Sequence, residues 1–173
     1  VAIGSEALYN NVYGSYSIAI GSRALLSYNQ SSSGYNTAIG YYSQSSNQYG
    51  IHNVAVGYYS LYSLFFGYYN VGFGNNALKM NSGGNYNTAI GYQALDNETT
   101  GTGNVAVGYQ AATNQQGGSE NTIIGDRAGE NISTGDTNTI VGQRAGVAIT
   151  TGNNNVILGG SCMTATDNTT RAV

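Results

Sequence analysis

A glycine that directly follows a short apolar segment recurs through the whole chain at an almost constant interval. Eight of the nine intervals between consecutive repeat glycines have the same 17-residue length, and the glycines are Gly4, Gly21, Gly40, Gly57, Gly74, Gly91, Gly108, Gly125, Gly142 and Gly159. A unit of this size is too small to bury its own apolar face and must stack on its neighbours. The period therefore predicts a solenoid. The 19-residue interval from Gly21 to Gly40 predicts one coil with a longer surface loop within 27–34.

Two further positions are marked in almost every repeat. A second glycine stands seven residues before the repeat glycine, and an asparagine stands four residues before it in eight of nine repeats. Both residue types suit tight corners, because glycine and asparagine accept backbone angles that others resist. Asparagines that recur at one corner can form an amide ladder along the stack. The predicted structural ladder consists of Asn36, Asn53, Asn70, Asn87, Asn104, Asn121, Asn138 and Asn155.

The three residues before each repeat glycine predict a strand that is apolar on both faces, as in Val54–Val56. One face of such a strand can line the solenoid interior, but the other face needs a cover. The middle residue is small in most repeats, which predicts the close approach of another chain. These two features together predict a homo-oligomer.

The expected fold class is all-β, a parallel β-roll of about ten 17-residue coils. At about 3.3 Å per residue, 17 residues allow a perimeter of at most roughly 56 Å, enough for two short strands and two turns. A three-sided helix of hexapeptides is the alternative, but each repeat has only one strong apolar strand. We expect one repeat domain over 1–173, with a tyrosine-rich part at 1–109, a more charged part at 110–159 and a partial last coil at 160–173. We also expect the chain to be a fragment of a longer fibre.

The repeat units resemble a known family. The sequences NTAIGYQAL at 87–95 and NVAVGYQAA at 104–112 are similar to the head repeats of YadA-like trimeric autotransporter adhesins. They are equally similar to the shaft repeats of phage tail fibres that end in an intramolecular chaperone domain. The resemblance covers essentially the whole chain. It implies a homotrimeric, left-handed β-roll that displays host-binding or matrix-binding surfaces outside the cell, on a virion tail fibre or a bacterial surface. The steady 17-residue period favours the tail-fibre type.

Tyrosine is distributed unevenly. All 16 tyrosines lie at or before Tyr109, and no residue from 24 to 78 is charged. Tyrosines that recur in phase should form aromatic ladders, since adjacent coils lie about 4.8 Å apart. One interpretation is a platform for a glycan or a cell-surface receptor, because tyrosine combines a flat apolar face with a hydroxyl. The other is that the ladders only stabilise the coils. The candidate ligand-binding residues are Tyr41, Tyr42, Tyr58, Tyr59, Tyr92 and Tyr109.

Charge excludes some partners. The net charge is −3 with five basic residues, too few to follow a nucleic-acid backbone. No run of 18 apolar residues is present, so direct membrane insertion is not expected. Arg127 and Arg144 share one phase of the repeat, two residues after the glycine. We expect them to form a surface ion-pair cluster with Asp126, Glu130 and Asp136, with an anion site as the alternative.

Catalysis, cofactors and metals are not expected. His52 occupies a phase at which tyrosine recurs and is interpreted as a member of an aromatic ladder. Cys162 is the single cysteine, so it can form neither an internal disulfide nor a cysteine metal cage. Among the acidic residues, Glu120, Asp126 and Glu130 are the ones formally available as a catalytic pair, and no partner that would raise a pKa is evident beside them.

The sequence therefore predicts a non-enzymatic extracellular fibre segment that mediates attachment to a host cell or surface. The alternative is a passive shaft that spaces a binding tip from its base. A solenoid that binds ice would present a regular threonine face, but the threonines that begin some strands alternate with valine and isoleucine.

Overall fold

The computed structural model describes residues 1–29 and 33–162. This part of the chain is a parallel β-solenoid without any helix, which confirms the predicted all-β class and the 17-residue coil. Each coil contributes one short strand to a single ten-stranded parallel sheet in chain order. The strands are Ala2–Ile3 (β1), Ile18–Ile20 (β2), Thr37–Ile39 (β3), Val54–Val56 (β4), Val71–Phe73 (β5), Thr88–Ile90 (β6), Val105–Val107 (β7), Thr122–Ile124 (β8), Thr139–Val141 (β9) and Val156–Leu158 (β10).

The strands pair residue for residue along the stack. Ala38 in β3 pairs with Ala55 in β4, which holds the same position in the next repeat. Ala19 in β2 pairs with Ala38 in the same way, so the longer coil between them keeps the register. The period of the sequence is therefore the period of the sheet, and in-phase residues of successive coils are neighbours.

The middle residue of each strand points into its own coil. Ala38, Ala55 and Ala89 are fully buried, whereas the residues on either side of them are partly exposed. The size of the middle residue is set by the opposite side of the same coil, since a Cβ added to Gly72 would lie 2.6 Å from the Ser60 Oγ atom. The prediction that the small middle residues mark the approach of another chain is therefore wrong.

The second side of each coil is a series of turns. Between Gly91 and Leu95, every second residue has positive φ, with values of 134° at Gly91, 54° at Gln93 and 50° at Leu95. Backbone bonds still connect the coils, because the Gln93 N–H donates to the Asn75 carbonyl and the Leu95 N–H donates to the Ala111 carbonyl. The prediction of two strands per coil is thus wrong for the described residues. We call this side the turn wall and the sheet side the strand wall.

The core is a thin layer between the two walls. The strand wall contributes its middle residues, and the turn wall contributes a small residue and an apolar residue, such as Ala94 and Leu95, which are fully buried. The Ser60 Oγ atom on the turn wall donates to the Gly72 carbonyl on the strand wall at 2.9 Å, which shows how closely the walls approach.

The longer coil carries a tyrosine in its core. Tyr28 is fully buried, and a Cβ added to Gly14 or Gly34 would lie 2.4 or 2.0 Å from the nearest atom of its side chain. The extra length thus adjoins a core side chain and does more than lengthen a surface loop. Residues 30–32 of the predicted loop lie outside the described residues, as do residues 163–173 of the predicted partial last coil.

Candidate functional site

The asparagine ladder is the most regular polar feature of the coils. In the repeat at Asn87, the side-chain Nδ2 donates to the Gly101 carbonyl at 2.7 Å. The Asn87 Oδ1 atom accepts the Asn104 backbone N–H at 2.9 Å and the Asn104 Nδ2 at 3.1 Å. All eight asparagines are buried, so they bind the chain to itself and offer no atoms to a ligand.

Five tyrosines form one cluster on the turn wall of the third and fourth coils. Tyr41 stacks on Tyr58 with ring centroids 5.6 Å apart, and Tyr42 stacks on Tyr59 at 5.2 Å. Tyr62 adds a fifth ring, 4.7 Å from Tyr59. Four of the five are predicted ligand-binding residues. Tyr62 was missed because its phase, five residues after the glycine, carries no tyrosine in the neighbouring coils.

The other two predicted residues form a separate pair. Tyr92 stacks on Tyr109 with centroids 5.4 Å apart and an interplanar angle of 12°. The coil between this pair and the cluster carries Asn75 and Asn76 at the two positions after the repeat glycine. The structure therefore divides the six predicted residues into two groups with an aromatic gap between them.

The rings of both groups face along the stack. The interplanar angles of 11° for Tyr41 and Tyr58 and 16° for Tyr42 and Tyr59 show that each ring covers the face of the next. What the ladders present sideways to solvent is therefore ring edges and hydroxyl groups. This arrangement differs from an open platform of flat faces.

Arg23 closes one end of the tyrosine cluster. Its guanidinium lies over the Tyr42 ring, 5.2 Å from the centroid, donates to the Tyr42 hydroxyl, and pairs with the Glu6 carboxylate at 2.5 Å. The bonds to Tyr42 and Glu6 raise the pKa of the Arg23 guanidinium further above its ordinary value. Sequence reasoning missed Arg23, although its phase, two residues after the glycine, is the phase of Tyr42.

Two hydroxyls of the cluster have raised pKa values. Partial burial is the main cause for both Tyr41 and Tyr59, and the neighbouring tyrosines add to it. Both hydroxyls therefore stay protonated at neutral pH and are available as hydrogen-bond donors.

A second aromatic ladder runs along the corner just before the asparagines. Its five rings are parallel within 8°, with centroids 4.8 to 5.4 Å apart. His52 occupies the middle of the ladder, between Tyr35 and Tyr69, in the position the sequence predicted for it. The members are Tyr16, Tyr35, His52, Tyr69 and Tyr86.

The strand wall carries an apolar stripe on its outer side. The residues of the stripe flank the buried middle residues and follow the sheet from β1 to β10. The eight most exposed members are between 36% and 57% exposed. They are Ile3, Ile18, Ile39, Val54, Phe73, Ile90, Ile124 and Leu158.

The arginines after residue 110 are arranged differently from the prediction. Arg127 lies over the Tyr109 ring, 5.6 Å from its centroid. Among residues 1–29 and 33–162, Arg23 and Glu6 form the one salt bridge with a nitrogen–oxygen distance within 4.0 Å. The expected ion-pair cluster is therefore absent from the described part of the chain, because Arg127 stacks on the aromatic ladder and Asp136 accepts the Ser119 N–H at 2.7 Å.

Glu98 is a buried carboxylate that sequence reasoning missed. Its Oε1 atom accepts the backbone N–H groups of Thr100 and Gly101 at 3.0 and 2.6 Å, and its Oε2 atom accepts that of Gly117 at 3.3 Å. The signal was present in the sequence, because Asn47 holds the same phase and caps its own corner in the same way. Glu98 is thus a corner residue and has no free face for a substrate.

Within the described ranges, no group of three or more histidine, cysteine, aspartate or glutamate side chains is arranged to hold a metal ion. The same ranges contain no helix that could cross a membrane. Comparisons with protein-family models, with curated proteins and with solved structures each give no significant match. The family resemblance of the repeat units therefore stays a prediction.

Proposed function

We propose that this chain is a non-enzymatic segment of an extracellular attachment fibre, in which three copies associate through their strand walls and leave their turn walls free for recognition. The observation that carries the proposal is the separation of two surfaces. The apolar stripe lies on one wall of the coil, and the tyrosine cluster lies on the other.

The apolar stripe supports self-association. Monomeric soluble proteins rarely expose a long contiguous apolar surface, and such surfaces usually mark an interface. The last residue of each strand is apolar in every coil, so a parallel copy of the chain would match the stripe along its whole length. The trimeric state and the left-handed coil follow from the resemblance to YadA-like heads and tail-fibre shafts.

The turn wall supports recognition. Tyr41 and Tyr58 are 44% and 48% exposed, and Asn75, followed by Asn76, holds the same position in the next coil along the wall. Tyrosine is favoured in binding surfaces because it supplies rigid contact area together with a hydrogen-bonding group. Glycans and glycosylated receptors are the partners that suit such a surface. This role implies an extracellular location for the chain, on a virion or a bacterial surface.

A glycan array with the wild-type segment and a variant tests the recognition role. Replacement of Tyr41, Tyr42, Tyr58 and Tyr59 by serine should abolish binding, with the solution mass by light scattering unchanged. A trimer that binds nothing on the array would favour the passive shaft, for which mutual stacking of the rings is the supporting observation. A stable monomer would contradict the fibre proposal.

A further inference from the structure

The two tyrosine groups of the turn wall end on either side of the same coil. Tyr58 is the last ring of one group, one coil before Asn75, and Tyr92 is the first ring of the other, one coil after it. Within the ladders, each ring face is covered by the next ring. At the outer end of the second group, Arg127 lies over Tyr109. Tyr59 lies beside Tyr58 in the same coil, with ring centroids 4.4 Å apart. Among the described residues, no other ring or guanidinium group contacts the faces of Tyr58 and Tyr92 that point toward Asn75.

These two faces form the walls of a slot. Successive rings at this phase lie 5.4 to 5.6 Å apart between centroids and coils repeat at about 4.8 Å, so two rings separated by two coil steps are about 10 to 11 Å apart. Asn75 stands at the phase of the rings but is shorter than tyrosine, so the space between the walls stays open above it. The side chain leans toward the preceding coil, where its Oδ1 atom accepts the Tyr58 backbone N–H at 3.1 Å.

The floor of the slot is lined with amide groups. The Asn75 Nδ2 atom and the Asn76 side-chain amide have no hydrogen-bond partner among the described residues. Asn75 is exposed and Asn76 is half-buried. These groups can donate to and accept from hydroxyl groups held between the rings.

The width of the slot selects the shape of the group it holds. A flat aromatic ring between two others needs contacts of about 3.5 Å on each face, or about 7 Å in all, and would be loose in this slot. A saturated ring with carbon contacts of about 4 Å on each face needs about 8 Å, and its pucker and axial substituents make it thicker still, so it comes closer to filling the slot than a flat ring does. Aromatic walls for C–H faces and a polar floor for hydroxyls match a sugar ring.

We propose that the slot between Tyr58 and Tyr92, with Asn75 and Asn76 as its floor, is a binding site for one pyranose ring of a glycan. This inference rests on the recognition role proposed above and locates it at one coil. It also assigns the open faces, and not the stacked ladders, as the surfaces that contact sugar.

The sharpest test fills the slot with the residue that the ladder itself uses. In Asn75→Tyr, the new ring would join Tyr58 and Tyr92 into one continuous stack. The matched control is Gln143→Tyr, which places a tyrosine at the same phase in a coil far from the slot. Tyrosine occupies this phase in four coils, so both variants should fold, and an unchanged or higher melting temperature would verify this.

Binding is measured by saturation-transfer NMR titration with methyl β-D-glucopyranoside, methyl β-D-galactopyranoside and methyl α-D-mannopyranoside, and with indole as a flat probe. We expect the wild type to bind at least one glycoside more tightly than indole. Asn75→Tyr should weaken that binding at least tenfold, and Gln143→Tyr should leave it unchanged. Tyr92→Ser, which removes a wall, should have the same effect as Asn75→Tyr, whereas Tyr86→Ser on the other ladder should have none.

The outcomes separate the slot from the recognition role. If the glycan array shows binding that Asn75→Tyr leaves intact, the slot is wrong and the recognition role stands. If the wild type binds no glycan on the array and no methyl glycoside, both are wrong. Preferential binding of indole would overturn the assignment to a sugar ring.

Discussion

At the scale of single residues, the coils depend on buried polar side chains that serve the backbone. An asparagine of the ladder connects its own corner with both neighbouring coils, and Glu98 accepts three backbone N–H groups at another corner. Buried polar groups of this kind stabilise a structure only while they are fully bonded. When one side chain of such a network is removed, the groups that bonded to it stay buried without a hydrogen-bond partner, because the thin interior leaves them no room to rearrange.

The ladder should therefore be sensitive to truncation in its middle. Asn87→Ala leaves the Gly101 carbonyl and the Asn104 N–H buried without partners, and we expect a loss of about 3 kcal/mol in the free energy of unfolding. The measurement is urea denaturation followed by circular dichroism. Asn114→Ala is the control, since that amide belongs to an exposed row with contacts of 3.4 Å, and its effect should stay within about 0.5 kcal/mol. Equal losses in the two variants would contradict the structural role of the buried ladder.

Asp96 gives a pH-dependent prediction. Burial is the main cause that raises the pKa of its carboxyl above the ordinary value of 3.8, and Lys79 and Gln93 oppose the shift. The folded state therefore holds this proton more tightly than the unfolded state, and the associated stability is present at low pH and lost as the pH rises through the raised pKa. Asp96→Asn removes the cost of the buried charge.

We expect Asp96→Asn to melt about 3 °C higher than wild type near pH 7, the shift that roughly 1 kcal/mol produces in a chain of this size. The gap should narrow as the pH falls through the ordinary pKa and close near pH 3, where Asp96 is largely protonated in both states. Melting curves from pH 3 to 7 measure this. A gap that does not change with pH would show that the Asp96 charge does not control stability.

At the scale of the coil, two rows of glycine meet different demands. A repeat glycine such as Gly91 has φ of 134°, and a Cβ there would lie 2.3 Å from the Gly108 carbonyl oxygen. A glycine of the other row, Gly101, has no such angle but has equally little space, since its Cβ would lie 2.2 Å from the Gly118 oxygen. A repeat glycine therefore cannot be replaced without both backbone strain and a clash with the next coil. A glycine of the other row cannot be replaced because of the clash alone.

Gly91→Ala should destabilise the fold strongly, whereas Gly103→Tyr should change the free energy of unfolding little. The first places a Cβ against backbone in a conformation that only glycine adopts readily, and we expect a loss of at least about 3 kcal/mol in the free energy of unfolding. Gly103 has φ of 73° at the phase of the ladder that ends at Tyr86, and a Cβ there would make only an ordinary contact, 3.8 Å from the Glu120 Cγ atom. A tyrosine there should stack on Tyr86, and the change should stay within about 1 kcal/mol because stacking offsets the strain of a positive φ.

Denaturation with circular dichroism measures the two variants, and hydrogen exchange of the β6 and β7 amides shows whether damage is local. Loss of protection in Gly91→Ala should be greatest in these strands. A Gly91→Ala variant as stable as wild type would refute the restriction at the corner.

At the scale of the whole molecule, stability comes from repetition. Each coil contacts only its neighbours, so the sheet and the asparagine ladder grow by the same increments from one coil to the next. The strand wall repeats an exposed apolar residue with the same period. Contacts that are weak in one coil add up over the stack when a second copy has the same repeat.

A charge in the middle of the apolar stripe should therefore break the assembly. In Ile90→Glu, carboxylates of the copies would meet without partners at the proposed interface between strand walls, and we expect the solution mass by light scattering to fall from a trimer toward a monomer. Gln110→Glu on the turn wall is the control and should leave the mass unchanged. An unchanged mass in Ile90→Glu would place the interface of any oligomer elsewhere.

The sequence by itself determined the solenoid, its period and its strand positions. A 17-residue interval with an apolar segment before each glycine leaves stacked coils as the way to bury those segments, and parallel pairing in register follows. It also indicated the asparagine corner and the stacking of His52 between tyrosines, since in-phase residues of a solenoid become neighbours.

Only the tertiary structure decided which way the side chains face. Both faces of each strand are apolar, so the pattern could not show that the small middle residue packs against its own turn wall while the larger ones remain exposed. It could not show that Glu98 is buried, that Tyr28 fills the core of the longer coil, or that Arg23 closes one end of the tyrosine cluster. These facts depend on the turn wall, where alternate positive φ angles set the directions of the side chains, and residues such as Leu95 and Gln93 at those positions give no sign that their φ is positive.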